Sequence, residues 1–180
     1  MGIHKNLILL IGFVSTVFFT SCEDGSSQRG VIEKINLNFE NKILGEVTKT
    51  QGEAHSGIYF SRTDAANAFG IGYSLILQDA QIDKKIKVII EGWARTNIPQ
   101  SRGTIVITTN QKDSMITWNP IWINGSITEP NKWCYFKDSL LVPRAPTGIR
   151  LTCINVFSYL SKSEFEKFDI DDFNVTFKAE

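Results

Sequence analysis

Beyond residue 30 the chain keeps switching between apolar and polar residues at a period near two. In 32–39 the apolar positions Ile32, Ile35, Leu37 and Phe39 fall mostly on one face. The segment 85–93 reads KIKVIIEGW, with Ile86, Val88 and Ile90 together on one side, and 103–109 reads GTIVITT. Segment 58–62 (IYFSR) follows a Ser56-Gly57 turn. In 133–142, Trp133, Tyr135 and Leu140 to Val142 surround polar partners before Pro143, and 149–156 and 170–177 close the pattern. Alternation with β-branched and aromatic residues, bounded by Gly, Pro and Asn, predicts strands. Only 161–168 (SKSEFEKF) offers a helical turn or two. About ten short strands and no substantial helix predict an all-β, two-sheet antiparallel sandwich.

The first thirty residues follow another logic. Lys5 precedes a largely apolar run, 7–19 (LILLIGFVSTVFF), which leads into Phe19-Thr20-Ser21-Cys22. A basic start, a short apolar run and small residues form the order of a secretory signal. The run is too short to span a bilayer, which takes about 20 apolar residues. With Ser21-Cys22 at its end, the segment resembles a bacterial lipoprotein signal. That resemblance implies cleavage after residue 21, acylation of Cys22 by chains such as palmitate, and work outside the cytoplasm on a membrane. An ordinary cleaved signal or a buried apolar helix with an incidental Cys22 is the plainer reading. Residues 23–30 (EDGSSQRG) carry no apolar side chain, so 22–30 reads as a tether. The acidic pair Glu23-Asp24 resembles the surface-export signal of Bacteroidetes lipoproteins and implies the outer membrane or cell surface.

Composition narrows the partners. The chain holds 19 Lys+Arg and 19 Asp+Glu; without Lys5 in the signal, 18 basic residues face 19 acidic ones. No basic field for nucleic acid exists in such a balance. Residues 31–180 suffice for one domain with a core of its own. Cys134 and Cys153 lack the spacing of a zinc or redox site. In an oxidising compartment they either pair or stay as buried thiols, since spacing alone does not fix their separation.

The order of features also carries a family resemblance. A first strand ends in Asn38-Phe39-Glu40. The turn His55-Ser56-Gly57 then precedes a strand, a long strand ends Glu91-Gly92-Trp93-Ala94-Arg95, Trp133 opens a late strand, and the chain closes on 168–175 (FDIDDFNV). This succession resembles the jelly-roll carbohydrate-binding modules of the galactose-binding-domain-like superfold. The resemblance implies a jelly-roll sandwich whose first and last strands lie side by side. It implies a structural calcium held by Glu40, by carbonyls at Ser56 or Gly57, and by Asp171 or Asp172. Calcium takes six to eight oxygens at about 2.3–2.6 Å, which suits such a set. Solvated turn carboxylates are the alternative. Were the last strand strictly alternating, Ile170 and Asp172 would share one face and Asp171 the other.

Aromatic residues supply the second candidate. Trp118 and Trp122 flank Asn119-Pro120-Ile121, a stretch with turn character, and Asn124 follows. Indole faces with a few polar groups suit a sugar ring. Arg95, Asn110, Gln111 and Asn124 are the polar candidates, with Asn110 and Gln111 expected in a loop after 103–109. Both tryptophans could instead fill the core, a role assigned to Trp93 and Trp133. Catalysis has little footing. His55 is the sole histidine of 31–180, and Glu91 and Asp113 are acids that nothing in the sequence singles out. The leading expectation is a non-catalytic, membrane-anchored module binding a glycan or oligosaccharide. A structural or protein-interaction lipoprotein of an outer-membrane complex, with the same fold, is the alternative.

Overall fold

The structure is a computed structural model describing residues 29–40, 49–161 and 163–180; the signal segment and Cys22 lie outside these residues. Among the described residues there are ten strands: β1 (Val31–Leu37), β2 (Lys49–Gln51), β3 (Tyr59–Thr63), β4 (Phe69–Ile76), β5 (Ile86–Thr96), β6 (Gly103–Gln111), β7 (Ser114–Trp122), β8 (Cys134–Val142), β9 (Cys153–Leu160) and β10 (Phe168–Ala179). One sheet runs β2-β3-β10-β5-β8, with β1 also paired to β10, and the other runs β4-β9-β6-β7. Every pairing is antiparallel. Except at the β1-β2-β3 start and the β6–β7 hairpin, each connection crosses between sheets, giving the expected jelly-roll sandwich.

β5 shows how the pattern builds the core. Ile86, Val88, Ile90 and Ala94 point between the sheets and are at most 2% exposed, while Lys87, Glu91, Trp93 and Arg95 stand on the outer face. Phe136, Phe168, Phe173 and Phe177 fill the space behind them. Truncating any one would cost about 3–5 kcal/mol. β6 differs: Ile105 and Ile107 face inward, yet the outward Thr104, Val106 and Thr108 are buried as well. Something outside the sheet covers them.

β10 departs from strict alternation. Ile170 and Phe173 are both fully buried, and two residues must fit between two inward positions. The chain answers with a register shift between Asp171 and Asn174 and a left-handed Asp172 at φ 47°, the signature of a bulge. There β10 exchanges neighbours: β3 pairs with Phe168 to Ile170, and β1 pairs from Phe173 onward.

Several expectations change. Asn110 and Gln111 end β6, and 118–122 lies within β7, so neither segment is a loop or turn. The described residues of 161–168 form no helix; a short helix, α1, occupies Asp79–Ile82, where Gln81 Oε1 accepts the Gln78 N–H at 2.9 Å. Among the described residues no helix is long and apolar enough to cross a membrane.

Candidate functional site

The cover over β6 is aromatic. Antiparallel register sets outward side chains of the four-stranded sheet into rows across β4, β9, β6 and β7. The first row is Phe69, Tyr159, Thr104 and Trp122, and the second Gly72, Phe157, Val106 and Pro120. The third is Ser74, Asn155, Thr108 and Trp118, and the fourth Ile76, Cys153, Asn110 and Met115. Trp118 leans over β6: its ring centroid is 5.3 Å from that of Tyr159 at 90° and 5.6 Å from that of Phe157. Phe69 continues the chain of rings, 5.1 Å from Tyr159 and 5.8 Å from Phe157. The two edge-to-face pairs of Trp118 add about 0.5–1.5 kcal/mol each. Gly72 is required beneath them, because a Cβ there would strike Phe157 and the Val156 carbonyl.

Despite these contacts the face stays open. Trp118 is 39% exposed, and Trp122 and Phe69 are 56% exposed each. Beside the rings runs a hydrogen-bonded polar row. Ser74 Oγ donates to Asn155 Oδ1 at 2.6 Å. Asn155 Nδ2 donates to Thr108 Oγ1 at 3.0 Å and Asn110 Oδ1 at 2.9 Å. Thr104 Oγ1, buried between Tyr159 and Trp122, has no partner. Strands about 4.8 Å apart make four of them roughly 14 Å wide.

The carboxylate set expected at the ends of the chain also converges. Glu40 Oε1 accepts the N–H groups of Ile58 at 2.9 Å and Tyr59 at 2.8 Å, stitching the end of β1 to the start of β3. Gly57 sits between them at φ 64°, and any Cβ there would collide with the Glu40 carboxyl group. Asp171 Oδ2 accepts from the N–H groups of His55 at 2.8 Å and Ser56 at 3.0 Å. Its Oδ1 accepts from Asp172 N–H at 2.8 Å. Asp172 takes the Ser56 hydroxyl at 2.7 Å, and its Oδ2 lies 2.8 Å from His55 Nδ1. The His55 ring stacks on Trp93 at 3.8 Å. Burial is the main cause holding the Asp171 carboxyl above its ordinary range, opposed by these N–H donors. The oxygens are thus placed as hydrogen-bond acceptors for the 55–59 turn and the Asp171–Asp172 junction. Among the described residues no group of three His, Cys, Asp or Glu side chains is close enough to hold an ion.

No protein-family profile matches the sequence, and no curated protein matches it. Among solved structures, the CBM22-2 xylan-binding domain from Paenibacillus barcinonensis Xyn10C is similar at a TM-score of 0.46 and 12% identity, over 82% of this chain and 99% of that one. A family 16 carbohydrate binding module-2 is similar at 0.45 and 14% identity, over 72% and 82%. A cyclase from Fischerella sp. TAU is similar at 0.42 and 10% identity, over 75% and 73%.

Of the expected ligand residues, Trp118, Trp122 and Asn110 share the aromatic face. Arg95 does not: it stands on the outer face of the opposite sheet, donating to Asp169 Oδ2 from Nε at 3.1 Å and Nη2 at 2.9 Å. Its guanidinium lies 4.5 Å over Trp133. Asp169 also receives Arg62, whose guanidinium is held more basic chiefly by that bond. Asn124 lines a separate cleft of about 290 Å³ between 96–101 and 124–130. Glu91 is bound by Lys137 at 2.8 Å and Tyr135 at 3.1 Å, the Lys137 contact chiefly holding its carboxyl below the usual range. Glu91 belongs to the six-stranded sheet and Asp113 to the β6–β7 turn, so they do not form a pair across a cleft. Phe69, Phe157, Tyr159, Ser74 and Asn155 were missed. A signal existed in Asn155, Phe157 and Tyr159, which alternate with buried residues on one strand.

Proposed function

We propose that this protein is a non-catalytic module that binds glycan on the outer face of its four-stranded sheet. The observation that carries the reading is the half-exposed platform of Trp118, Trp122 and Phe69, bordered by oriented amides and hydroxyls. Apolar C–H faces of pyranose rings stack on indole and phenyl faces, while hydroxyls bond to amide groups. The open, shallow shape suits a chain more than an enclosed monosaccharide. Glu91, Asp169 and Glu166 each have cationic or hydroxyl partners, which supports binding over hydrolysis. Titration of soluble oligosaccharides into the protein and its Trp122→Ala variant tests the reading: affinity is expected in the first and lost in the second. Equal binding by both would remove the face from the account.

The anchor belongs to the same proposal. Basic start, apolar run and Ser21-Cys22 support acylation of Cys22 and display on the outer membrane or cell surface, where the module would gather oligosaccharide. Incorporation of labelled palmitate, abolished by Cys22→Ala, tests it. Retention of a protein partner by the same face, with no glycan bound, would favour the interaction-protein alternative.

A further inference from the structure

We infer that the aromatic face selects neutral glycans against acidic ones, an inference that rests on the glycan-binding reading above. All four rows of the face consist of uncharged side chains. Among the described residues, Arg62, Arg95 and Asp169 interlock and Glu91 meets Lys137 on the opposite sheet, while Arg150 pairs with Asp79 and Lys132 with Glu129 in the loops. At the rim, Arg102 is turned to Glu166, and one cation and one anion, Lys112 and Asp113, lie in the β6–β7 turn.

This distribution decides which sugars fit. A carboxylate or sulfate laid over Trp118 or Trp122 meets the negative face of the ring. It also loses hydration with no cation on the face to replace it. A neutral sugar loses only hydroxyl–water bonds, and the polar row replaces these. Both Asn155 N–H groups are spent on Thr108 and on Asn110 Oδ1. The Asn110 carbonyl is thereby turned to its neighbour and its Nδ2 group away from it, as a donor for a sugar oxygen. Asn155 Oδ1, receiving only Ser74, keeps acceptor capacity for a sugar hydroxyl.

The test is calorimetric titration of the protein with neutral soluble polysaccharides (xylan, mixed-linkage β-glucan, mannan) and acidic ones (polygalacturonate, alginate, chondroitin sulfate). Each is run at about 10 mM and about 1 M salt, where the Debye length falls from about 30 to about 3 Å. At least one neutral polymer should bind with a Kd that changes less than about twofold between the two salts. Trp122→Ala should weaken it about tenfold or more, equivalent to about 1.4 kcal/mol. An acidic polymer that binds as tightly as any neutral one, and loses that affinity in Trp122→Ala, would overturn the inference while leaving glycan binding intact. No binding from either set would overturn the glycan-binding reading itself, and this inference with it.

Discussion

Asp171→Ala should show how much the junction in β10 holds. Asp171 is 2% exposed and its two oxygens take three backbone N–H groups, from His55, Ser56 and Asp172. Each net hydrogen bond contributes about 0.5–1.5 kcal/mol, so the gross loss is about 1.5–4.5 kcal/mol. Two terms reduce it. Water reaches the 55–57 turn and satisfies part of the freed donors, and removing the residue relieves the burial of a charge. A net loss of about 2 kcal/mol remains, which in a domain of this size lowers Tm by about 4–8 °C. The pH dependence has a definite sign. Because folding raises the Asp171 pKa, its ionisation weakens the fold: its contribution is fully present below the ordinary carboxylate pKa and is lost as pH rises through the raised value. The stability gap between wild type and Asp171→Ala should therefore widen on acidification from neutral pH. Differential scanning calorimetry across that range measures both effects. An unchanged Tm, or a gap that narrows in acid, would refute this view of the junction.

Three further outcomes follow from the same geometry. Chelator should leave Tm unchanged within about 1 °C, because the carboxylates of Glu40, Asp171 and Asp172 are engaged by N–H and O–H donors; a fall of several degrees reversed by added calcium would restore the ion to the site. Trp118→Ala should cost about 2 kcal/mol, roughly half the loss for a fully buried Trp, since it shields Val106, whereas Trp122→Ala should cost under about 1 kcal/mol; thermal melts that rank them oppositely would contradict the packing. Tyr73 donates to Glu33 Oε1 at 2.5 Å, a bond between β4 and β1 that chiefly pushes its pKa up to about 12. Folding raises that pKa, so stability is full below about 10, the unfolded value, and falls as pH climbs from there toward 12; Tyr73→Phe should remove this loss in alkaline melts.

The two-sheet sandwich was legible because burial of one face per strand writes itself into the sequence, most plainly in 85–93. The convergence of Glu40, the 55–57 turn and Asp171-Asp172 was legible too, through resemblance. The hydrogen bonds made there were not, because which N–H a carboxylate oxygen meets depends on backbone placement at a bulge. Strict alternation failed at Asp172 for the same reason: Ile170 and Phe173 both had to be buried. Trp118 and Trp122 share an open face, but Pro120 suggested a turn where it sits in a strand at the sheet edge, facing away from hydrogen-bonding neighbours. Arg95 stands apart from them because the alternation of β5 gives its face but not that this face belongs to the other sheet. Cys134 on β8 and Cys153 on β9 belong to different sheets and are free thiols, which spacing could not decide.

The most direct measurement is a glycan-array screen of the protein beside Trp122→Ala, at matched Tm. Binding of a neutral glycan class by the wild type, lost in the variant, is the predicted result. A folded wild type that binds no glycan, or one whose binding survives Trp122→Ala and Trp118→Ala alike, would contradict the assignment of the aromatic face as the functional surface.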